Sequence, residues 1–122
     1  MRFTQDSPSG VNLIRAYRAG EIRINDAVYH DAVILSAAAI LTESGLRGVS
    51  DLTAEHRARI LELHPEVVLL GTGQHQTFPH PSFGAEFLRL GIGFEVMDTG
   101  AACRTFNVLV SEQRRVVGLL LT

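Results

Sequence analysis

The chain has no lysine, no tryptophan and a single cysteine among its 122 residues. One thiol, Cys103, excludes an internal disulfide. Without lysine there is no Walker-type phosphate loop, whose Gly-Lys-Ser or Gly-Lys-Thr ending carries the phosphate-reaching ammonium. All 11 basic side chains are therefore arginine, as codon bias in a GC-rich genome would produce. Positive charge is also scarce overall: the formal net charge of −2 argues against nonspecific nucleic-acid binding, which needs a basic surface. Long apolar runs are missing too. Residues 37–41, Ala-Ala-Ala-Ile-Leu, fall far short of the roughly 20 residues needed to span a bilayer, so no membrane insertion is expected. The opening MRFTQDSPSG has no apolar core and includes Asp6, which does not suit a secretory signal. The expectation is a cytoplasmic protein.

What is present suits one folded domain. The composition is 46% hydrophobic and 20% charged, without repeats or low-complexity segments, and the length allows a substantial core. Residues 1–10 read as a flexible polar tail and residues 11–122 as a single domain. From Val11 to Ser36, short strands alternate with turns: "NLIRAYR", Ala19-Gly20, "EIRIN", Asn25-Asp26 and "AVYHDAVILS". Asn25-Asp26 suits the positive φ of a tight hairpin. "ILTESGLRGVSD" fits one more irregular strand. Thr53 reads as the N-cap of a helix with Glu55 in its first turn, Ile60 and Leu61 inward, and an end before Pro65.

The second half alternates more clearly. "EVVLLG" does not alternate in polarity, as expected of a strand covered on both faces. Ser82 is expected to cap a helix through Leu90 that Gly91 stops. "IGFEVM" is the next strand, Asp98 or Thr99 caps a helix to about Glu112, and "RRVVGLLL" ends the pattern. Strand-helix-strand units of this length imply parallel pairing. The prediction is an α/β, three-layer single domain: a central mixed sheet flanked by helices, with an N-terminal β-hairpin region.

Three motifs invite functional readings. Gly71-x-Gly73 opens like a dinucleotide fingerprint, but Gln76 stands where the third glycine belongs, and the next helix begins too late to meet a phosphate there. His75, His80 and Cys103 have neither zinc-finger nor helix-pair spacing, so no metal site and no cofactor are expected. Asp98-Thr99-Gly100 has the sequence of an aspartic-protease loop, yet Ala102, Phe106, Leu109 and Val110 recur at helical spacing directly after it. Capping then accounts for Asp98 and Thr99 without catalysis. Cys103, read in the first turn of that helix, is either a thiolate favoured by the helix dipole or a small buried apolar residue.

One combination remains. Parallel strands deliver their following loops to one sheet edge, where ligands of open α/β folds bind. Gly71, Thr72, Gly73, Asp98, Thr99, Cys103, Arg104 and Asn107 form a candidate crevice there, with Arg104 and helix N–H groups favouring an anion. The other reading of these residues is that they cap and cross-link loops, with Arg104 paired to an acid.

"GEIRINDAVYHDAVIL", "VVLLGTGQHQTFPHP" and "GIGFEVMDTGAACRTFNVLVSEQRRVVGLLL" together resemble the Mth-nine-three-eight-like domain family, over nearly all of residues 11–121. That family includes a mitochondrial assembly factor for respiratory complex I and an adipogenesis-associated protein. The resemblance implies a three-layer α/β fold with a mixed sheet, makes Asp-Thr-Gly a family signature, and carries no catalytic residues. The N-terminus lacks the Arg-rich, acid-poor run of a transit peptide, so a bacterial-type relative is expected. Two functions follow as expectations. The first is a non-catalytic protein-binding domain, acting in assembly of a membrane or respiratory complex through an unidentified protein partner, with Phe78 and Phe83 as candidate contacts. The second is a small-molecule or anion-binding domain, or an enzyme, using the crevice.

Overall fold

The computed structural model describes residues 10–122, so all of the expected tail but Gly10 lies outside the described residues. Two sheets form. The smaller is an antiparallel meander of β1 (Ile14–Arg18), β2 (Glu21–Ile24) and β3 (Ala27–Tyr29). The larger has the order β5 (Ile40–Glu43), β4 (Ala32–Leu35), β8 (Val116–Leu121), β6 (Val67–Thr72), β7 (Gly93–Met97). Strand β6 runs parallel to both β7 and β8, and β4 runs antiparallel to β8 and β5, so the sheet is mixed as expected.

Side-chain alternation along the large sheet divides the interior into two cores. Val33, Leu35, Leu69, Val116 and Leu120 meet Phe106 of α3 (Thr99–Ser111) and Ile14, Ile22 and Ile24 of the small sheet. Ile34, Val68, Leu70, Val117 and Leu119 meet Ile60 of α1 (Ala54–Leu61) and Phe83 and Phe87 of α2 (Pro81–Arg89). Those are the three layers. Strands β4 and β8 are buried at every position, which is why their sequences read as unbroken apolar runs.

The segment "AVYHDAVILS", expected as one strand, breaks at His30-Asp31 into β3 and β4, which belong to different sheets. The two halves face different surroundings: β3 is largely exposed, whereas β4 is covered on both faces. The chain end fixes the break, with the Thr122 hydroxyl donating to the His30 carbonyl at 2.8 Å and the Gly20 N–H to the Thr122 carbonyl at 2.9 Å. Asn25 takes the expected positive φ of 55°. It also accepts from the Leu13 N–H at 3.0 Å and donates to Asn12 at 2.9 Å, while Asn12 donates to the Ser36 carbonyl at 2.9 Å. Two asparagines therefore dock the meander onto the central sheet. The ambiguous "ILTESGLRGVSD" resolves into β5, a turn at Gly45 and a short 3-10 turn over Val49–Asp51.

Helix α1 begins at Thr53 as expected, with His56 in place of the usual acid: its Nδ1 accepts the Thr53 N–H at 3.0 Å. Helix α2 starts before the expected Ser82. His80 is its N-cap, accepting the Ser82 N–H on Nδ1 at 3.1 Å, and Pro81 takes the first helical position, where its missing N–H costs nothing. Helix α2 lies close to β7 at Gly84, where an added Cβ would come within 2.4 Å of the Phe94 ring. That ring is in turn stacked on Phe87 at 5.5 Å, so it has little room to yield.

Gly84→Ala sets two effects against each other. Alanine favours the helix by about 1 kcal/mol, and overpacking in a filled core costs about 1–3 kcal/mol. A net loss of about 1–2 kcal/mol is expected in urea denaturation; a midpoint at or above wild type would show that the Phe94 ring moves aside.

Candidate functional site

At the C-terminal ends of β6 and β8 the polar residues of the expected crevice take part in a network of caps and hydrogen bonds. Asp98 caps α3, its carboxylate accepting the Ala101 N–H at 2.8 Å. Thr99, the first helical residue, is fully buried. Its hydroxyl donates to the Leu121 carbonyl at 2.7 Å and accepts the Gly73 N–H at 2.8 Å, while its own N–H donates to the Gly73 carbonyl at 2.9 Å. Gly71 makes room for this approach: a Cβ there would lie 2.9 Å from the Thr99 hydroxyl and 3.1 Å from Ala102. Asp-Thr-Gly thus caps a helix and clamps two strand ends.

Beyond this clamp the loop 73–80 is pinned at its base. The Thr72 hydroxyl donates to the His75 carbonyl at 2.6 Å and accepts the Thr77 N–H at 3.1 Å, and Gln76 donates to the Val96 carbonyl at 2.9 Å. His75 is exposed in this loop and His80 caps α2, whereas Cys103 lies on the buried face of α3. Among the described residues no group of three or more metal-ligating side chains converges. The two candidate contact aromatics separate: Phe83 is 4% exposed and packed edge-on against Phe87 at 5.6 Å, but Phe78 is 69% exposed.

The remaining candidates line a separate depression of about 270 Å³ between α3 and β1, walled by Gly100, Cys103, Arg104 and Asn107 on one side and residues 14–17 on the other. Asn107 is committed to structure there, accepting the Ile14 N–H at 3.0 Å and donating to the Ile14 carbonyl at 2.8 Å, so its amide continues the edge of β1. Cys103 is the fifth residue of α3, just past the first turn, where the helix dipole acts most strongly. Burial pushes its thiol up from 9.0 to about 12; Arg104 opposes that rise and Asp98 adds to it. The thiol is therefore neutral at pH 7, and the small-apolar reading of Cys103 is the one that fits. Burial also raises Tyr17, with Cys103 and Asp98 contributing, and its hydroxyl has no hydrogen-bond partner among the described residues. Arg104 is exposed and forms no ion pair among the described residues. The β1 wall was not foreseen; a bulge between Ile14 and Ala16 creates it, and alternation counting cannot register a bulge.

Residues 14–121 match a family model described as "Protein of unknown function (DUF498/DUF598)". A Danio rerio protein named NADH dehydrogenase (ubiquinone) 1 alpha subcomplex assembly factor 3 is 32% identical over 120 residues, covering 96% of this chain and 68% of that protein. A Francisella tularensis protein named "13 kDa major membrane protein" is 30% identical over 103 residues, 84% of each chain. No helix among the described residues of the present chain is long and apolar enough to cross a membrane. A solution structure from Bordetella pertussis, described as a Mth938-like domain, superposes with a TM-score of 0.81 at 29% identity, covering 99% of this chain and 92% of that one.

Thr99→Val removes the clamp but keeps the shape. It is expected to cost about 2–4 kcal/mol in denaturant unfolding, since the Leu121 carbonyl and Gly73 N–H lose their partner. Thr99→Ser keeps both bonds and is expected to cost only about 1 kcal/mol for the lost methyl. Equal losses would show that the hydroxyl does not hold the strand ends. For Cys103 the folded-state value lies above the unfolded one, so the stability from the neutral thiol is complete below about pH 8.5 and declines as pH rises toward 12. Stability is expected to fall more steeply in wild type than in Cys103→Ala between about pH 9 and 11; parallel curves would contradict this.

Proposed function

We propose, starting from the fact that this chain belongs to the DUF498/DUF598 family, that it is a non-catalytic protein-binding domain serving the assembly of a membrane or respiratory complex. The observation that carries the reading is Phe78, an aromatic side chain 69% exposed on a loop whose base is held by Thr72 and Gln76. An exposed aromatic on a pinned loop suits an interface anchor, because little conformational freedom remains to be lost on binding. The flanking Pro79 and Pro81 restrict the loop further. Support also comes from the polar groups at the sheet edge, where Asp98, Thr99 and Thr72 are engaged in caps and clamps. The names of the relatives point the same way, one an assembly factor for NADH dehydrogenase and one a membrane protein.

Affinity purification of tagged protein from its own cells, with gentle membrane solubilisation, tests the proposal. Wild type is expected to recover a reproducible partner, and Phe78→Ala at least about tenfold less of it. Thermal stability should stay within about 0.5 kcal/mol, since the side chain is exposed. Equal recovery by both proteins would remove the loop from the interface; no reproducible partner with wild type would count against protein binding itself.

A further inference from the structure

We propose, resting on the protein-binding reading above, that the free edge of β7 takes an extended segment of the partner as an added strand, with a basic residue opposite Glu95. Strand β7 ends the five-stranded sheet and pairs only with β6. Successive residues of a strand turn their N–H and C=O groups to alternate sides. Gly93 donates its N–H to the Glu66 carbonyl, on the β6 side, at 3.0 Å, and the Met97 carbonyl accepts from the Thr72 hydroxyl of β6 at 3.3 Å. Gly93, Glu95 and Met97 therefore turn their backbone groups to β6, and Phe94 and Val96 turn theirs outward. The Gln76 amide already does what a neighbouring strand would do, donating to the outward Val96 carbonyl at 2.9 Å. The Phe94 carbonyl and the Val96 N–H, on either side of Glu95, have no partner among the described residues. One residue of a parallel strand takes those two groups together, donating to the first and accepting from the second.

The other sheet edges are protected in ways this one is not. Along β1 the Asn107 amide occupies both backbone groups of Ile14, and β3 is three residues long. In β5 the terminal Glu43 is held at 2.8 Å by Arg59 of α1. Strand β7 has five residues, Gly-Phe-Glu-Val-Met, and its one charge, Glu95, is exposed and forms no ion pair among the described residues.

Charge and position select the occupant. Opposite charges facing one another across a strand pair stabilise it, and like charges oppose it. A second copy paired antiparallel about the centre of β7 would set Glu95 against Glu95, so the edge suits a different chain with arginine or lysine there. On the other face of the strand, Phe94 and Val96 pack against the α2 core, and apolar residues beside the basic one would extend that face. Gln76 joins this edge to the loop that carries Phe78, so a single partner can meet both.

The test uses the full chain and two blocked peptides, Thr-Thr-Val-Arg-Val-Thr-Thr and its counterpart with Glu for Arg. Amide hydrogen exchange followed by NMR reads the Val96 N–H, which strand addition covers. The Arg peptide is expected to slow that exchange about tenfold near saturation and to bind about threefold tighter than the Glu peptide. Glu95→Lys, which leaves every backbone group in place, is expected to reverse the preference. Val96→Pro removes the outward N–H, at a place where an edge strand tolerates proline, and is expected to abolish binding of both peptides. Phe78→Ala is expected to leave the peptide effect unchanged, since the peptide is confined to the strand. Unslowed exchange at Val96 with both peptides, or a preference that Glu95→Lys does not move, would overturn the proposal. In cells, a partner recovered equally by wild type and Glu95→Lys would exclude the edge and leave the Phe78 reading standing. Absence of any partner would remove that reading, and the exchange measurement would still decide the edge.

Discussion

The buried Thr99 hydroxyl is the contact on which the arrangement of this molecule turns. In an open α/β sheet, strands whose following helices cover opposite faces leave a gap at their carboxyl ends, and that gap is the usual ligand site. Here the helix on the small-sheet side advances far enough for its first side chain to bond at the ends of β6 and β8. The approach depends on Gly71, because any larger residue would meet Thr99, Ala102 and Leu120 at once. A short polar clamp therefore makes a rigid junction of β6, β8 and α3. In a buried setting such a clamp is stiff, since breaking it leaves two backbone groups without partners and far from water.

The other polar side chains follow the same economy. Asn107 substitutes for a missing strand neighbour along β1, and Asn12 with Asn25 ties the meander to the central sheet. His80 and His56 cap helices through Nδ1, a task usually given to serine, aspartate or glutamate. Each of these side chains satisfies a backbone group that secondary structure leaves open. The meander then shields the α3 core, where it contributes Ile14, Ile22 and Ile24.

How far the sequence discloses this depends on the range of the interaction involved. The covered strands and α3 are legible because long apolar runs and helical spacing are local signals, and the Asn25 turn follows from one residue's tolerance of positive φ. The break at His30-Asp31 is not legible, because it depends on Thr122, ninety-two positions away. The α2 cap shifts from Ser82 to His80 because an imidazole nitrogen can do what a hydroxyl does, which propensity alone does not favour. The candidate crevice shows the same limit. Topology alone brings Gly71, Asp98 and Thr99 together, but only the depth of side-chain packing decides whether they enclose space or fill it.

That distinction governs where function can reside. A residue that satisfies its hydrogen-bonding capacity within the fold has little left for a ligand, and by this measure Thr72, Asp98, Thr99 and Asn107 are engaged. Cys103 is withdrawn in another way, its thiol held neutral by burial. The group that remains is one the fold does not use: an aromatic ring standing clear of the core at Phe78. It is a surface feature on a stiff support, a loop fixed by Thr72 and Gln76. A stiff support lowers the entropy lost on association, so even a small contact can be specific. The polar junctions that close the interior thereby direct recognition to the surface they hold rigid.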